Sequence, residues 1–559
     1  MKSMKKLVTL LLSLVMLCAL AMPAMADVTT YSITIKGAVA GHTYTAYQVF
    51  KGVYYKGSCP NDTHGDKEYL SDVEWGDGVD GTAIVTELKA NTTLKALRDR
   101  FTSVKENDAD AAEKVAYILQ DLGDKSEELD EFARIVDKHL TTEASKTDVV
   151  ATDATNVKID NLAAGYYFVK DTGTINDGEI ATKFLVKVVG NANVNVTVKA
   201  QAPEFEKKIV KEDGNTANGT SANVGDKVTF RLTAKVPDMA SFEDYTFTMH
   251  DTLSKGLTFN ADSVKVTVDS KPIVNADGGS DKYTLTYPAA AESHETFTIS
   301  FTKAQLKGLV KHTDNATAFG ATIVVEYTAT LNENALNKDV ETNKAYLEYT
   351  NDPSGNGKGT KTPEAPVYVY DFDLTVDKFD GTEKDIADEN SKRLKGATFI
   401  LYKVEGEGNK AKKLYYVQDE TTKTKTVTWT ETEDKATKFT TDENGKATFQ
   451  GIAAGTYYLH ETQAPKGYNT LKDPVKVEIK ASYNTDGTLN KNDANFKLEP
   501  DDTKGNHYYQ VQSIANKAGA VLPSTGGIGT TIFYVLGSIL ALGAAVLLIA
   551  KKRMNGQDR

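Results

Sequence analysis

At 559 residues the chain is long enough for three or four domains. Its formal net charge of −12 at pH 7 argues against a nucleic-acid partner and for solubility outside a cell. There are only two cysteines, Cys18 and Cys59, which excludes a disulfide framework.

Residues 1–26 have the order of parts of a secretory leader. Lys2, Lys5 and Lys6 form the charged start, 7–21 the apolar run, and Ala24-Met25-Ala26 the small-residue cleavage site. Its removal takes Cys18 and leaves Cys59 alone, read as a solvated or half-buried thiol. Losing the leader and everything after Thr525 removes three net positive charges at each end and leaves −18.

Residues 27–200 form the first region. Strand patterns at 31–36 and 44–50 precede helical patterns at 94–101, 108–122 and 127–140. Strand signals return at 157–159, 165–169, 182–189 and 194–198. Asp72, Asp77 and Asp80 read as a solvated, glycine-rich turn and not as a calcium site.

Residues 203–368 alternate as strands almost throughout, and a β-sandwich is expected. Its end, 351–359, is a turn-rich linker. Residues 369–519 form the third region, opening at 372–378 and closing at 513–517. Its Ile452-Ala453-Ala454-Gly455-Thr456-Tyr457-Tyr458 echoes Leu162-Ala163-Ala164-Gly165-Tyr166-Tyr167 of the first region. The two regions are therefore versions of one sandwich. The fold class is mainly β: tandem Ig-like β-sandwich domains, with helical insertions in the first.

Side chains alternate along a strand. Leu374, Val376 and Lys378 share a face, as do Tyr457, Leu459 and Glu461, and Ile514 and Asn516. Three polar groups are thus placed inside an apolar core, which is costly unless they act on one another. Desolvation favours a neutral lysine and a protonated glutamate. A neutral Lys378 amine can attack the Asn516 side-chain carbonyl, Glu461 can polarise it and shuttle protons, and an amide remains when ammonia leaves. In the second region Phe205, Lys207 and Ile209 share a face, which favours Lys207 over Lys208. Tyr245, Phe247, Met249 and Asp251 share another. Asn343, Ala345, Leu347, Tyr349 and Asn351 share a third, so alternation leaves both Asn343 and Asn351 open. In the first region, aligning the two Tyr-Tyr pairs sets Lys170 where Glu461 stands and Asp171 one residue out of phase. No internal bond is expected there.

The C-terminal part has a distinct order. Leu522-Pro523-Ser524-Thr525-Gly526 is followed by an apolar run at 528–550 and a basic tail at 551–559 that includes Lys551, Lys552 and Arg553. At about 1.5 Å per residue the run makes a helix of roughly 34 Å, enough to cross a bilayer. The basic residues mark the cytoplasmic end. Pro523 holds an extended segment, and Gly526 leaves the Thr525 carbonyl open to attack.

This order resembles the cell-wall sorting signal of Gram-positive bacteria, where a sortase cuts between Thr and Gly and joins the Thr to an amine. The Lys378 strand, the Glu461-Thr462-Gln463-Ala464-Pro465 box and the Asn516 strand look like the CnaB-type isopeptide domain of Gram-positive pilins. The second region resembles their CnaA-like middle domain. As a whole the chain resembles the major, backbone pilins of sortase-assembled pili.

The resemblance implies a Lys378–Asn516 bond aided by Glu461. It also implies a Lys207–Asn343 bond aided by Asp251, with Asn343 favoured by the family's Asn-x-Ala pattern and Asn351 as the alternative. Val194-Asn195-Val196-Thr197-Val198-Lys199 partly fits the pilin motif, making Lys199 the intersubunit acceptor, with Lys207 and Lys208 as rivals. Thr525 of one subunit is then joined to Lys199 of the next. The implied partners are a class C-type pilus sortase, a housekeeping sortase, copies of the chain, tip and base pilins, and peptidoglycan. The implied location is the cell wall, after transient membrane anchoring. No cofactor or metal is implied, and catalysis is limited to single-turnover internal bond formation. The alternative is a monomeric wall-anchored adhesin that binds a host protein or glycan. An enzyme is disfavoured, since the sequence shows no nucleophile–His–acid set, no His-x-x-x-His and no phosphate-binding glycine loop.

Overall fold

Strands with period-two burial assemble into six sheets among the described residues. The structure, a computed structural model, describes residues 30–554 except 58–66, 93–94, 121, 123–126, 142–148, 153–155, 177–178, 189–192, 198–202, 238, 240–241, 243, 277–278, 290–294, 310–319, 353–358, 385, 389, 420–425, 493–496, 502–504 and 520–527. The leader, Cys59, Lys199 and the 522–526 motif lie outside the described residues. The chain divides into two units, Met1–Tyr370 with Ser482–Asn490, and Asp371–Ala481 with Lys491–Arg559.

In the first region of unit one, Tyr31–Lys36 lies between Asn156–Leu162 and Asn193–Thr197 in a small sheet. It packs against a larger sheet built on Thr43–Gly57, Lys67–Trp75, Gly165–Asp171 and Lys183–Val188. Strand Gly165–Asp171 is buried on both faces. Tyr167 and Val169 join the core between the sheets, and Phe168 joins a second core made with the helices. That helical layer explains why an otherwise ordinary sandwich carries so long an insertion.

The expected helices occur, trimmed to Lys95–Phe101, Ala111–Leu119 and Glu127–Lys138. A further helix, Gly81–Ala90, was not expected. Asp80 caps it, its carboxylate accepting from the Ala83 amide at 3.0 Å. Asp80 is therefore a helix cap, Asp72 sits in a strand at φ +50°, and Asp77 reaches Lys51 at 3.3 Å. All three aspartates are exposed and Asp77 lies in a turn, as the glycines suggested, but the stretch runs from a strand into a helix cap. Gly76 is required by packing: a Cβ there would strike the Gln48 carbonyl.

The second region is a two-sheet sandwich. One sheet holds Phe205–Val210, Lys227–Lys235, Thr322–Leu331 and Leu257–Val268; the other holds Ala365–Tyr370, Glu341–Tyr349, Phe247–Leu253 and Phe297–Phe301. Strand Thr322–Leu331 alternates perfectly in burial, which turns Tyr327 inward. Residues Ser482–Asn490 belong to this unit. Asn218 donates to the Thr485 carbonyl at 2.7 Å, and Leu489 donates its amide to the Tyr370 hydroxyl at 3.0 Å.

In unit two, Phe372–Asp380 and Gly505–Asn516 run parallel in a four-stranded sheet, with Asp380 opposite Asn516. The facing sheet includes Thr398–Glu405 and Gly455–Gln463. Helix Ile528–Met554 is long and apolar enough to cross a membrane, and its described side chains are exposed.

Candidate cross-linking sites

Lys378, Glu461 and Asn516 meet in the core of unit two, at 0, 2 and 1% exposure. Three strands bring them together, and each contributes its inward-facing residue. The Lys378 amine donates to the Ile514 carbonyl at 2.9 Å and lies 4.0 Å from Glu461 Oε1. The Asn516 amide nitrogen donates to both Glu461 oxygens, at 2.9 and 3.1 Å. Glu461 Oε2 also accepts from the Leu471 amide at 2.8 Å, which fixes the carboxyl. Asn516 Oδ1 has no hydrogen-bond partner among the described residues. Burial pulls the Lys378 amine down to about 8, against the attraction of Glu461. About a tenth of the amine is thus neutral and nucleophilic at pH 7, far more than for an ordinary lysine.

The second region places Lys207, Asp251 and Asn343 together, at 2, 0 and 0% exposure. Lys207 Nζ donates to Asp251 Oδ2 at 2.5 Å. Asn343 Oδ1 and Asp251 Oδ1 have no hydrogen-bond partner among the described residues. Burial pulls Lys207 down to about 8, with Asp251 opposing, and pushes Asp251 up, with Lys207 opposing. Asn351, of the same strand parity, lies beyond the strand end, and its backbone carbonyl accepts from the Ala181 amide at 2.7 Å. A fourth member was missed from sequence. Tyr327 accepts from Lys207 Nζ at 2.8 Å and from Asn343 Nδ2 at 2.9 Å, and donates to Asp251 Oδ2 at 2.7 Å. Only its inward parity between Phe-rich strands could have flagged it.

The first region corrects one alignment. Tyr167 donates its hydroxyl to the Ala163 carbonyl at 3.0 Å, and Tyr457 does the same to Ala453 at 2.8 Å. Tyr167 therefore corresponds to Tyr457, and Asp171, not Lys170, corresponds to Glu461. An ungapped match from Leu162 and Ile452 carries this signal; pairing the Tyr-Tyr doublets loses it. Strand register also sets Tyr31 opposite Leu162 and Phe372 opposite Ile452. Two residues past Ile35 and Val376, the lysine position is occupied by Gly37, at φ +75°. The buried acid instead holds a histidine: His42 Nδ1 lies 2.5 Å from Asp171 Oδ2, and Nε2 lies 3.1 Å from Glu179.

Burial opposes protonation of His42, but hydrogen bonds to Glu179 and Asp171 outweigh it and raise its pKa above 6.5. A raised base contributes stability that is complete below the unfolded pKa and is lost as pH rises through the folded one. Hydrogen exchange of residues 165–171 should therefore speed up as pH passes above about 6.5, beyond the intrinsic rate increase. In a His42→Gln variant that excess should vanish.

Of the acceptor lysines, Lys207 is 2% exposed and closed to another chain. Lys208 is half-buried and pairs with Glu206 at 3.0 Å. Strand Asn193–Thr197 ends two residues before Lys199, which is outside the described residues.

Residues 514–556 match the LPXTG cell wall anchor motif, and residues 381–495 match SpaA, a prealbumin-like fold domain. The trypsin-resistant surface T6 protein of Streptococcus pyogenes serotype M6 is 24% identical over 420 residues, 64% of this chain and 70% of that protein. The chain carries a Gram-positive cell-wall anchor and is homologous to this surface protein. Solved structures similar to this chain include the T6 backbone pilin of serotype M6 Streptococcus pyogenes, at 17% identity and TM-score 0.48. Another is the major pilin SpaD of Corynebacterium diphtheriae, at 17% identity and TM-score 0.47. Each comparison covers 89% of this chain and 100% of the other. It is a cell-wall-anchored surface protein, and its anchor makes it a sortase substrate.

Proposed function

We propose that this chain is the shaft subunit of a covalent surface pilus, stiffened by two internal amides. What carries the proposal is the coincidence of a wall anchor with two separate buried lysine–acid–asparagine sets. In unit two, neutral Lys378 Nζ attacks Asn516 Cγ. Glu461 takes a proton from the incoming nitrogen and returns one to Nδ2, the Cγ–Nδ2 bond breaks, and ammonia leaves. Lys207, Asp251 and Asn343 perform the same exchange in the second region. Between subunits, a pilus sortase holds Thr525 as a thioester, and Lys199 of the next subunit resolves it. A housekeeping sortase then joins the fibre to peptidoglycan, beside any tip and base pilins.

Each internal amide removes one ammonia, about 17 Da, by the stoichiometry of the attack. Intact mass and peptide mapping of the secreted chain should show two such losses, at Lys207 and Lys378. Wall extracts should give a detergent-resistant ladder of multimers. A single wall-linked band in cells that carry the pilus sortase would overturn the shaft assignment in favour of a monomeric adhesin.

A further inference from the structure

The two candidate cross-linking sites differ in how the acid reaches the leaving nitrogen. In unit two the acid touches the leaving nitrogen directly, Asn516 Nδ2 donating to Glu461 at 2.9 Å. In the second region the hydroxyl of Tyr327 stands between Asp251 and Asn343 Nδ2, at 2.7 and 2.9 Å. An aspartate is one methylene shorter than a glutamate, and the phenol spans the gap.

We infer that Tyr327 is a catalytic proton relay for the Lys207–Asn343 bond, carrying a proton from Asp251 to the departing amide nitrogen. The inference rests on the isopeptide assignment of that site. A hydroxyl has one donor and two lone pairs. Here all three are used: it accepts from Lys207 and from Asn343, and donates to Asp251. Both reacting nitrogens therefore point at one oxygen. The contact also turns the Asn343 amide so that Nδ2 faces the relay.

The bookkeeping of the step is closed. Neutral Lys207 Nζ adds to Asn343 Cγ, and the tetrahedral carbon forms. The surplus proton on Nζ passes to Asp251 Oδ2, 2.5 Å away in the starting geometry. Tyr327 gives its hydroxyl proton to Nδ2 and regains one from Asp251. The Cγ–Nδ2 bond breaks, the Cγ–Nζ amide remains, and one ammonia leaves. Nothing is oxidised or reduced. Burial holds the Tyr327 pKa well above its ordinary value, with the Asp251 charge adding to this, so the phenol stays protonated between transfers. Its ring is fixed by neighbours: Phe230 stacks at 5.5 Å, while Phe297 and Phe259 meet it edge-on at 4.9 and 5.5 Å.

The test follows the mass of freshly made full-length chain over time, with the Lys378–Asn516 bond as an internal clock. Tyr327→Phe keeps the ring and deletes the relay. Its second-region ammonia loss should slow by about a hundredfold, the usual size of a general acid–base contribution, while the Lys378 site reacts at the wild-type rate. Tyr327→Leu separates packing from chemistry. A space-filling role predicts that Phe restores bond formation and Leu does not; a relay predicts that both fail alike. The thermal midpoint of Tyr327→Phe should match that of an Asp251→Asn chain, the folded and unlinked reference. Equal rates in Tyr327→Phe and wild type would overturn the relay. Absence of the second-region loss in the wild type itself would instead overturn the isopeptide assignment.

Discussion

A Glu461→Gln chain is expected to retain the ammonia that the wild type loses at Lys378, and its third domain should melt roughly 15 to 20 °C lower. The substitution is nearly isosteric, and the side chain can still accept from the Leu471 amide 2.8 Å away. What it loses is the ability to take up and return a proton at Asn516 Nδ2. Without that transfer the amide nitrogen is a poor leaving group, and Lys378 stays free. The bond it fails to make joins the first strand of the domain to the last, Phe372–Asp380 to Gly505–Asn516. By analogy with disulfides, closing so long a loop restricts the unfolded chain by roughly 5 kcal/mol. For a domain of this size each kcal/mol is about 4 °C. Lys378→Met should likewise retain the ammonia and give a similar midpoint, since it keeps the packing and removes the nucleophile. A wild-type midpoint in either variant would show that the cross-link does not hold the domain.

The rate of the wild-type reaction carries a pH signature. Attack requires the neutral amine, and burial holds Lys378 near 8. Bond formation should therefore slow about tenfold per pH unit below that value and level off above it. Stopped-time mass measurements between pH 6 and 9 test the sign. A rate independent of pH throughout that range would assign the slow step to something other than amine attack.

Lys199→Ala is expected to reduce the multimer ladder in wall extracts to a single monomer band, with surface display retained. The sorting motif would still be cut, so the housekeeping route to peptidoglycan stays open. Two rivals follow this lysine in sequence, Lys207 and Lys208, and they are not equal. Lys207 is sealed in the core, and its amine is engaged by Asp251 and Tyr327. Lys208 faces the opposite side of the same strand. Lys208→Ala should leave the ladder intact. A ladder that survives Lys199→Ala and collapses in Lys208→Ala would reassign the acceptor.

Much of this was legible because it is local. Alternation along a strand is enforced by backbone geometry, so inward Leu374 and Val376 carry Lys378 inward with them. The same rule placed Lys207, Asp251, Glu461 and Asn516 in cores. The 522–526 motif, apolar run and basic tail depend only on order and composition. The helix Gly81–Ala90 was hidden for a local reason too: Gly76, Gly78 and Gly81 look like a turn, although Gly76 is there to let backbone approach Gln48.

What needed the tertiary structure was register between distant strands. Asn343 and Asn351 have the same parity, and only the pairing of strand Glu341–Tyr349 with its neighbours puts Asn343 beside Tyr327. Tyr327 had no motif at all; it matters because three strands deliver a lysine, an acid and an asparagine to one hydroxyl. The match of Gly37 to Lys378 likewise rested on ladder pairings, while that of Asp171 to Glu461 shows in the shared Tyr167 and Tyr457 hydroxyl bonds and was already open to an ungapped alignment. The period of a strand is written in its own residues. Which residue of another strand it faces depends on a hydrogen-bond ladder between segments far apart in the chain, where a slip of one position turns every side chain to the other face.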